Sequence, residues 1–275
     1  EVADRDAVRC PHRRPGFATA LPWEGDVHAL LARFLCMTDA DLQTVGILGG
    51  MSSESTVQYY RGIDAGINAE RGGHAAGQVL IRSVNFADIE GFIADERWGD
   101  AGDYLADAAG DLDSGGADFV VMATNTMHRV APAIEEALSV PFVHIVDPTA
   151  EAIAADGLDT VGVLGTRPVM EGEFYEGRFA DHGIDVVVPD ADRRQQVHDI
   201  IFDELTKGVV TEESREAYVA AIGELVDAGA EGVVLGCTEI EMLVSQDDVP
   251  DTPLFDTTAL HVADAVDRCL GVAAS

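Results

Sequence analysis

The chain has 275 residues, of which 47% are hydrophobic, and it carries a formal net charge of −33 at pH 7. This hydrophobic content is enough to bury a large core, which we expect to be divided between two domains. No apolar run approaches the roughly 18 residues of a membrane span, and nucleic acid is a poor partner for so negative a chain, so we predict a soluble protein that binds neither.

The acidity is spread along the chain and has two interpretations. A polycationic partner would call for a clustered acidic run, and no run exceeds a few residues. A cytoplasm at very high salt would instead screen the repulsion within a dense shell of carboxylates. Lysine is nearly absent, with Lys207 standing against 16 arginines. These features favour the enzyme of a halophile.

Residues 1–36 differ from the rest of the chain. They contain five acids and five arginines, so residues 37–275 hold the whole charge excess with 45 acids against 12 basic residues. The segment has little periodicity and lacks the n-region and apolar h-region of a signal peptide. We interpret it as an extension, either disordered or produced by a misplaced start ahead of Met37, with a functional arm as the alternative.

From Met37 onward, short apolar runs alternate with segments of helical periodicity. The runs read TVGILG, QVLIRSV, FVVMA, FVHIV, TVGVLG, IDVVV, GVVLG and PLFD, and the helical segments include GDYLADAAGDLDSG and REAYVAAIGELVDAG. Eight strands that alternate with helices predict an α/β fold, in which helices cover both faces of parallel sheets. Ligands of such sheets bind beyond the carboxyl ends of the strands.

The chain also repeats itself. VGILGGM at 45–51 returns as VGVLGTR at 161–167, and GADFVVMATNT at 116–126 returns as GAEGVVLGCTE at 229–239. In this alignment Cys237 falls on Thr124, each at the end of the third strand of its half. If the halves face each other across a cleft, the two side chains address one substrate from opposite sides. Inversion of a carbon centre requires such opposed proton-handling groups.

The motifs VGILGGMSSEST, ATNTMH and LGCTEIE, in this order, resemble those of the cofactor-independent aspartate/glutamate racemases. The resemblance spans residues 43–270 and implies two pseudo-symmetric, doubly wound parallel-sheet domains, with the active site in the cleft between them, and a homodimer. It also implies that the C-terminal strand and helix return to the first domain. We therefore predict a first domain of residues 37–145 plus 247–275 and a second domain of residues 146–246.

In that family the two catalytic positions are usually both cysteine, in a CNT and a GCTE motif. The second motif matches at Cys237, whereas the first reads Thr124 here, as in a family subset that has TNTMH and acts on aspartate and glutamate. We predict Cys237 and Thr124 as the catalytic pair. A hydroxyl is a poor base without an adjacent histidine, so Thr124 relays a proton, positions a water or caps a helix.

Cys237 precedes TEIEML, which we interpret as a helix start whose N–H groups and positive end favour the thiolate. The alternative is a buried cysteine acting as a small hydrophobe, which is our interpretation of Cys269 in VADAVDRCL. Together with Cys10 and Cys36 these make four cysteines without CxxC spacing. They are expected as free thiols in a reducing cytoplasm.

The predicted substrate-binding residues follow the ends of strands. They are Met51, Ser52, Asn85, Asn125, Thr126, Thr166, Arg167, Thr238 and Glu239. Gly49 and Gly50 open a helix whose free N–H groups can bind an anion. Asn125, Thr126 and Thr238 suit the α-carboxylate and amine, with helix capping as the alternative. Arg167 is predicted to bind the distal carboxylate through a bidentate fork, with a surface arginine as the alternative.

No cofactor or metal is implied. The histidines show no metal-ligand spacing, and His128 is expected near the site without touching the substrate. Lys207, in the polar segment ELTKGVV, is badly placed for a Schiff base. The sequence therefore predicts a racemase of aspartate or glutamate. The alternatives are a one-thiol decarboxylase or isomerase of small carboxylates, and a non-catalytic amino-acid-binding protein.

Overall fold

The structure, a computed structural model, describes residues 42–272. The predicted extension at 1–36, with Cys10 and Cys36, lies outside the described residues. The described residues belong to one compact unit, within which two parallel sheets define two lobes.

All eight predicted strands are confirmed. In the first lobe, β1 to β4 are Val45–Gly49, Val79–Ser83, Phe119–Met122 and Phe142–Val143. In the second lobe, β5 to β8 are Thr160–Gly165, Asp185–Val187, Gly232–Gly236 and Leu254–Asp256. The central strands β1, β3 and β7 are buried at every position. Continuous apolar runs are typical of parallel strands that helices cover on both faces.

Ten α-helices, α1 to α10, surround the strands within residues 42–272. The helices of the first half are Ser53–Arg71, Phe86–Ala94, Trp98–Ser114, Ala131–Ala137 and Val146–Ala155. Those of the second half are Arg167–Glu171, Glu173–Asp181, Ala191–Asp203, Glu212–Asp227 and Thr257–Cys269. The two helical segments predicted from periodicity correspond to α3 and α9.

The two sheets have the same topology, which explains the sequence repeat. Their strand orders are β2-β1-β3-β4 and β6-β5-β7-β8, and all neighbouring strands are parallel. β1 and β5 are equivalent, as are β3 and β7. Thr124 and Cys237 therefore follow equivalent strands, as the repeat predicts.

One part of the predicted domain division is wrong. The C-terminal strand β8 pairs with β7, with Val233 opposite Leu254, so it belongs to the second sheet and not to the first domain. Helix α10 does return to the first lobe, where Val266 and the fully buried Cys269 pack with Ile63 of α1. The close packing depends on Gly66 of α1, because a Cβ there would lie 2.6 Å from Val266.

Candidate active site

A cavity of about 900 Å³ opens at the carboxyl ends of strands from both sheets. The loops that follow β1, β2, β3, β5 and β7 line it, together with the end of α8. This is where parallel sheets bind ligands. Nine of the eleven predicted site residues lie on its wall: Met51, Ser52, Thr124, Asn125, Thr126, Thr166, Cys237, Thr238 and Glu239.

The loop after β1 is shaped by a glycine. Gly50 has φ +89, and a Cβ there would lie 2.3 Å from the carbonyl oxygen of Val84 at the end of β2, so a side chain is excluded. Ser52 then caps α1, and its hydroxyl accepts from the N–H of Ser55 at 3.1 Å. The tight turn and the cap bring Met51 and Ser52 to the cavity wall.

Thr124 is held through its backbone by His128. The Nδ1–H of His128 donates to the carbonyl of Thr124 at 2.7 Å, and its Nε2 accepts from the N–H of Ile145 at 3.2 Å. Burial lowers the pKa of His128 well below its ordinary value, so the ring is neutral and carries its proton on Nδ1. The Thr124 hydroxyl has no hydrogen-bond partner within residues 42–272, so no side chain there activates it as a base.

Cys237 is held by a carboxylate. Its half-buried thiol donates to Oε2 of Glu239 at 3.0 Å. Burial first, and then the neighbouring Glu239, raise the pKa of the thiol well above its ordinary value, against the opposing effect of backbone N–H groups of Glu239 and Thr238. The predicted helix start is wrong, because only a 3-10 turn at Ile240–Met242 follows, and the expected lowering of the thiol pKa is wrong with it.

Hydroxyl pairs join the two lobes beside the cavity. Ser55 and Thr238 are 2.7 Å apart, and Thr126 and Thr166 are 2.9 Å apart, measured between their hydroxyl oxygens. Each pair connects a residue of the first lobe with a residue of the second, and Ser55 belongs to the first turn of α1. A substrate in the cleft would therefore meet polar side chains already ordered by one another.

Asn125 also serves the contact between the lobes. Its Oδ1 accepts from the hydroxyl of Tyr175 at 2.9 Å, and its Nδ2 donates to Thr257 at 3.1 Å. All three residues are buried. Both ends of the Asn125 side-chain amide are thus hydrogen-bonded to the protein. Asn125 orders the site directly, and its amide is less available for binding a substrate.

Two predicted site residues do not line the cavity. The guanidinium of Arg167 donates to Gln195 at 2.8 Å and lies 3.7 Å from Glu171, with half of the side chain exposed. Asn85 is exposed and donates to Asp88 within the first turn of α2. Arg167 follows β5, but its half-exposed side chain contacts Gln195 and Glu171 instead of lining the cavity.

The sequence interpretation missed Lys207, which lies on the cavity wall although it was judged badly placed. Its Nζ is 3.4 Å from Asp203 and its side chain is 62% exposed. His198 also lines the cavity, but burial lowers the pKa of its imidazole. Among the described residues that line the cavity, Lys207 is the only lysine or arginine, and the acidic Glu54, Glu90 and Glu239 line it as well. The sequence did offer a signal for Lys207, because it is the single lysine of an acidic chain.

Within residues 42–272, no group of three or more His, Cys, Asp or Glu side chains is arranged to hold a metal ion. Over the same range, no helix combines the length and apolarity needed to cross a bilayer.

Comparison with known proteins identifies relatives. A sequence profile of the Asp/Glu/hydantoin racemases matches residues 48–265. A Yersinia pestis structure described as a candidate Asp/Glu racemase is 43% identical, with TM-score 0.79, over 83% of this chain and 100% of that one. An aspartate racemase homologue from Pyrococcus horikoshii OT3 is 32% identical, with TM-score 0.73 and the same coverage.

A glutamate racemase from Herpetosiphon aurantiacus is 33% identical over 164 residues, which make up 58% of this chain. The chain covers less than two thirds of that relative, 62% of its length.

Proposed function

The chain belongs to the Asp/Glu/hydantoin racemase family, and on that basis we propose that it interconverts the L and D forms of aspartate or glutamate without a cofactor. The observation that carries the proposal is the placement of Cys237 and Thr124. They follow equivalent strands of two equivalent sheets and line one cavity. A proton can thus be handled on each face of a substrate Cα.

The proposed reaction passes through a carbanion. The thiolate of Cys237 takes the Cα proton and becomes a thiol, while the electron pair is delocalised into the α-carboxylate. A proton from the Thr124 side, from the hydroxyl itself or a water that it positions, then adds to the opposite face. Both sides afterwards exchange protons with solvent. Because the Thr124 hydroxyl has no neighbouring base, we expect its side to be the slower one.

For the distal carboxylate of the substrate, we propose Lys207 in place of Arg167. Lys207 lines the cavity, with its Nζ 3.4 Å from Asp203, whereas Arg167 does not line it and its guanidinium contacts Gln195 and Glu171. The acidic wall residues Glu54 and Glu90 repel a second carboxylate, so a cation on the wall is required for an acidic substrate to bind.

Chiral chromatography tests the proposal. L-aspartate and L-glutamate, incubated with the protein in molar KCl, should yield the D enantiomer and approach equal amounts of both. A decarboxylase would release CO₂ and a shortened amine instead, and a binding protein would leave the L form unchanged. Either of these results contradicts the proposal.

A further inference from the structure

Glu239 is a buried carboxylate without a cationic partner. It is 8% exposed and lies on the cavity wall. Neutral groups donate to it: the Cys237 thiol at 3.0 Å and the Thr238 hydroxyl at 2.6 Å to Oε2, and the Ser52 hydroxyl at 3.4 Å to Oε1. Among the ion pairs formed within residues 42–272, none involves Glu239. Burial of an unpaired charge is costly, so a cation that reaches this carboxylate would be bound favourably.

We propose that Glu239 binds the α-ammonium group of the substrate and that this ion pair releases the Cys237 thiol for ionisation. The ammonium supplies the positive charge that the carboxylate lacks, and it competes with the thiol for Oε2. This inference rests on the proposed racemase function, and it assigns Glu239 the recognition of amino acids as a class.

The geometry explains how binding would activate the thiol. In the free protein, Glu239 holds the thiol protonated, because a nearby negative charge opposes a second one. An ammonium on Glu239 cancels that charge. The backbone N–H groups of Glu239 and Thr238, which lower the pKa of the thiol, then favour the thiolate. The proton leaves the thiol for solvent as the substrate binds.

Other groups near the sulfur do not replace Glu239 in this role. The phenols of Tyr175 and Tyr218 also interact with Cys237, but burial raises the pKa of both, so they stay neutral. Within residues 42–272, Glu239 is the single titratable neighbour of the thiol that is both charged and on the cavity wall. A ligand lacking an ammonium should therefore leave the thiol protonated.

L-Malate is the matched probe, since it has the two carboxylates of L-aspartate and a hydroxyl in place of the ammonium. We expect the unmodified protein to bind L-aspartate on the order of tenfold more tightly than L-malate, as a charge-assisted bond predicts. In Glu239→Gln the two affinities should become equal within about threefold. Glu241→Gln is the control, because Glu241 lies off the cavity wall, contacts Gln58 and acts on Glu239 only through its charge. It removes a nearby carboxylate without removing the proposed contact, and it should keep the preference.

A second measurement uses the unmodified protein alone. Calorimetric titrations at pH 7.5, in buffers of different ionisation enthalpy, report the protons released on binding, and racemisation adds no heat because enantiomers have equal enthalpies. L-Aspartate should release more protons than L-malate. Equal release from both ligands overturns the proposal, as does an aspartate preference that survives in Glu239→Gln.

Failure of this inference is distinguishable from failure of the racemase function. If D-aspartate forms while Glu239→Gln keeps the aspartate preference, the role of Glu239 is wrong and the racemase stands. If the preference depends on Glu239 but no D-aspartate forms, ammonium recognition stands and the racemase function is wrong.

Discussion

Replacing Lys207 should weaken the binding of acidic substrates, whereas replacing Arg167 should not. Two unit charges 4 Å apart interact with about 1 kcal/mol in water and about 4 kcal/mol near a protein surface. The Lys207 side chain is 62% exposed, which places its attraction near the lower value. We therefore expect about 1 to 2 kcal/mol from Lys207, a rise in KM of roughly 5- to 30-fold in Lys207→Met.

The assay measures initial rates of D-aspartate formation over a range of L-aspartate concentrations. Arg167→Met is the matched control, since it removes a cation close to the cavity but off its wall, and its KM should change by less than about twofold. In molar salt the Debye length falls to about 3 Å, so the Lys207 effect should shrink towards its lower limit. A large KM effect in Arg167→Met with none in Lys207→Met would refute this reasoning and restore the prediction made from the sequence.

Three further predictions concern the acidic surface, the buried histidines and the Thr124 face. Raising KCl from 0.1 to 2 M should increase Tm, because salt screens the repulsion among carboxylates; an unchanged Tm counts against this. Burial lowers the pKa of His144 to about 4 and that of His261 to about 3. Their neutral forms therefore stabilise the fold above pH 6.5, and this stability is lost as the pH falls towards those values. Between pH 7.5 and 5.5 each should remove roughly 1 kcal/mol from the unfolding free energy in molar KCl, and a flat denaturation profile would contradict it. Thr124→Cys should speed inversion by up to roughly 10²-fold if proton delivery on that face is limiting. Slower inversion, with the rate of Cα proton exchange unchanged, would refute this.

Much of the fold could be predicted because it is encoded locally. Apolar runs such as TVGILG and GVVLG predicted strands, and the repeat predicted two equivalent sheets. The alignment of Cys237 with Thr124 followed from the same repeat, since equivalent strands end at equivalent places in the cleft. The pairing partner of β8 could not be predicted this way, because a strand of three residues carries no signal of the sheet that it joins.

The side-chain chemistry of the site depends on contacts that the sequence does not display. TEIEML looked like a helix start, but hydrogen bonds draw Glu239 to the thiol of Cys237 and the hydroxyl of Ser52, and only a 3-10 turn follows. The thiol consequently meets a carboxylate where a helix dipole was expected. Lys207 is 30 residues from Cys237 in the chain, and only the fold, through the 3-10 turn Leu205–Lys207 that follows α8, brings it to the same cavity.

The central claim is that the Cys237 thiol removes and returns the Cα proton of an acidic amino acid. NMR of the Cα proton in D₂O, run beside chiral chromatography, measures exchange and inversion separately for each enantiomer. For the unmodified protein, we predict that one enantiomer exchanges its Cα proton faster than it inverts. The family resemblance indicates that this enantiomer is L. The other enantiomer should show no excess of exchange over inversion. Cys237→Ala should lose exchange and inversion together. Exchange that persists in Cys237→Ala would contradict the account, because the thiol would then have no part in the reaction.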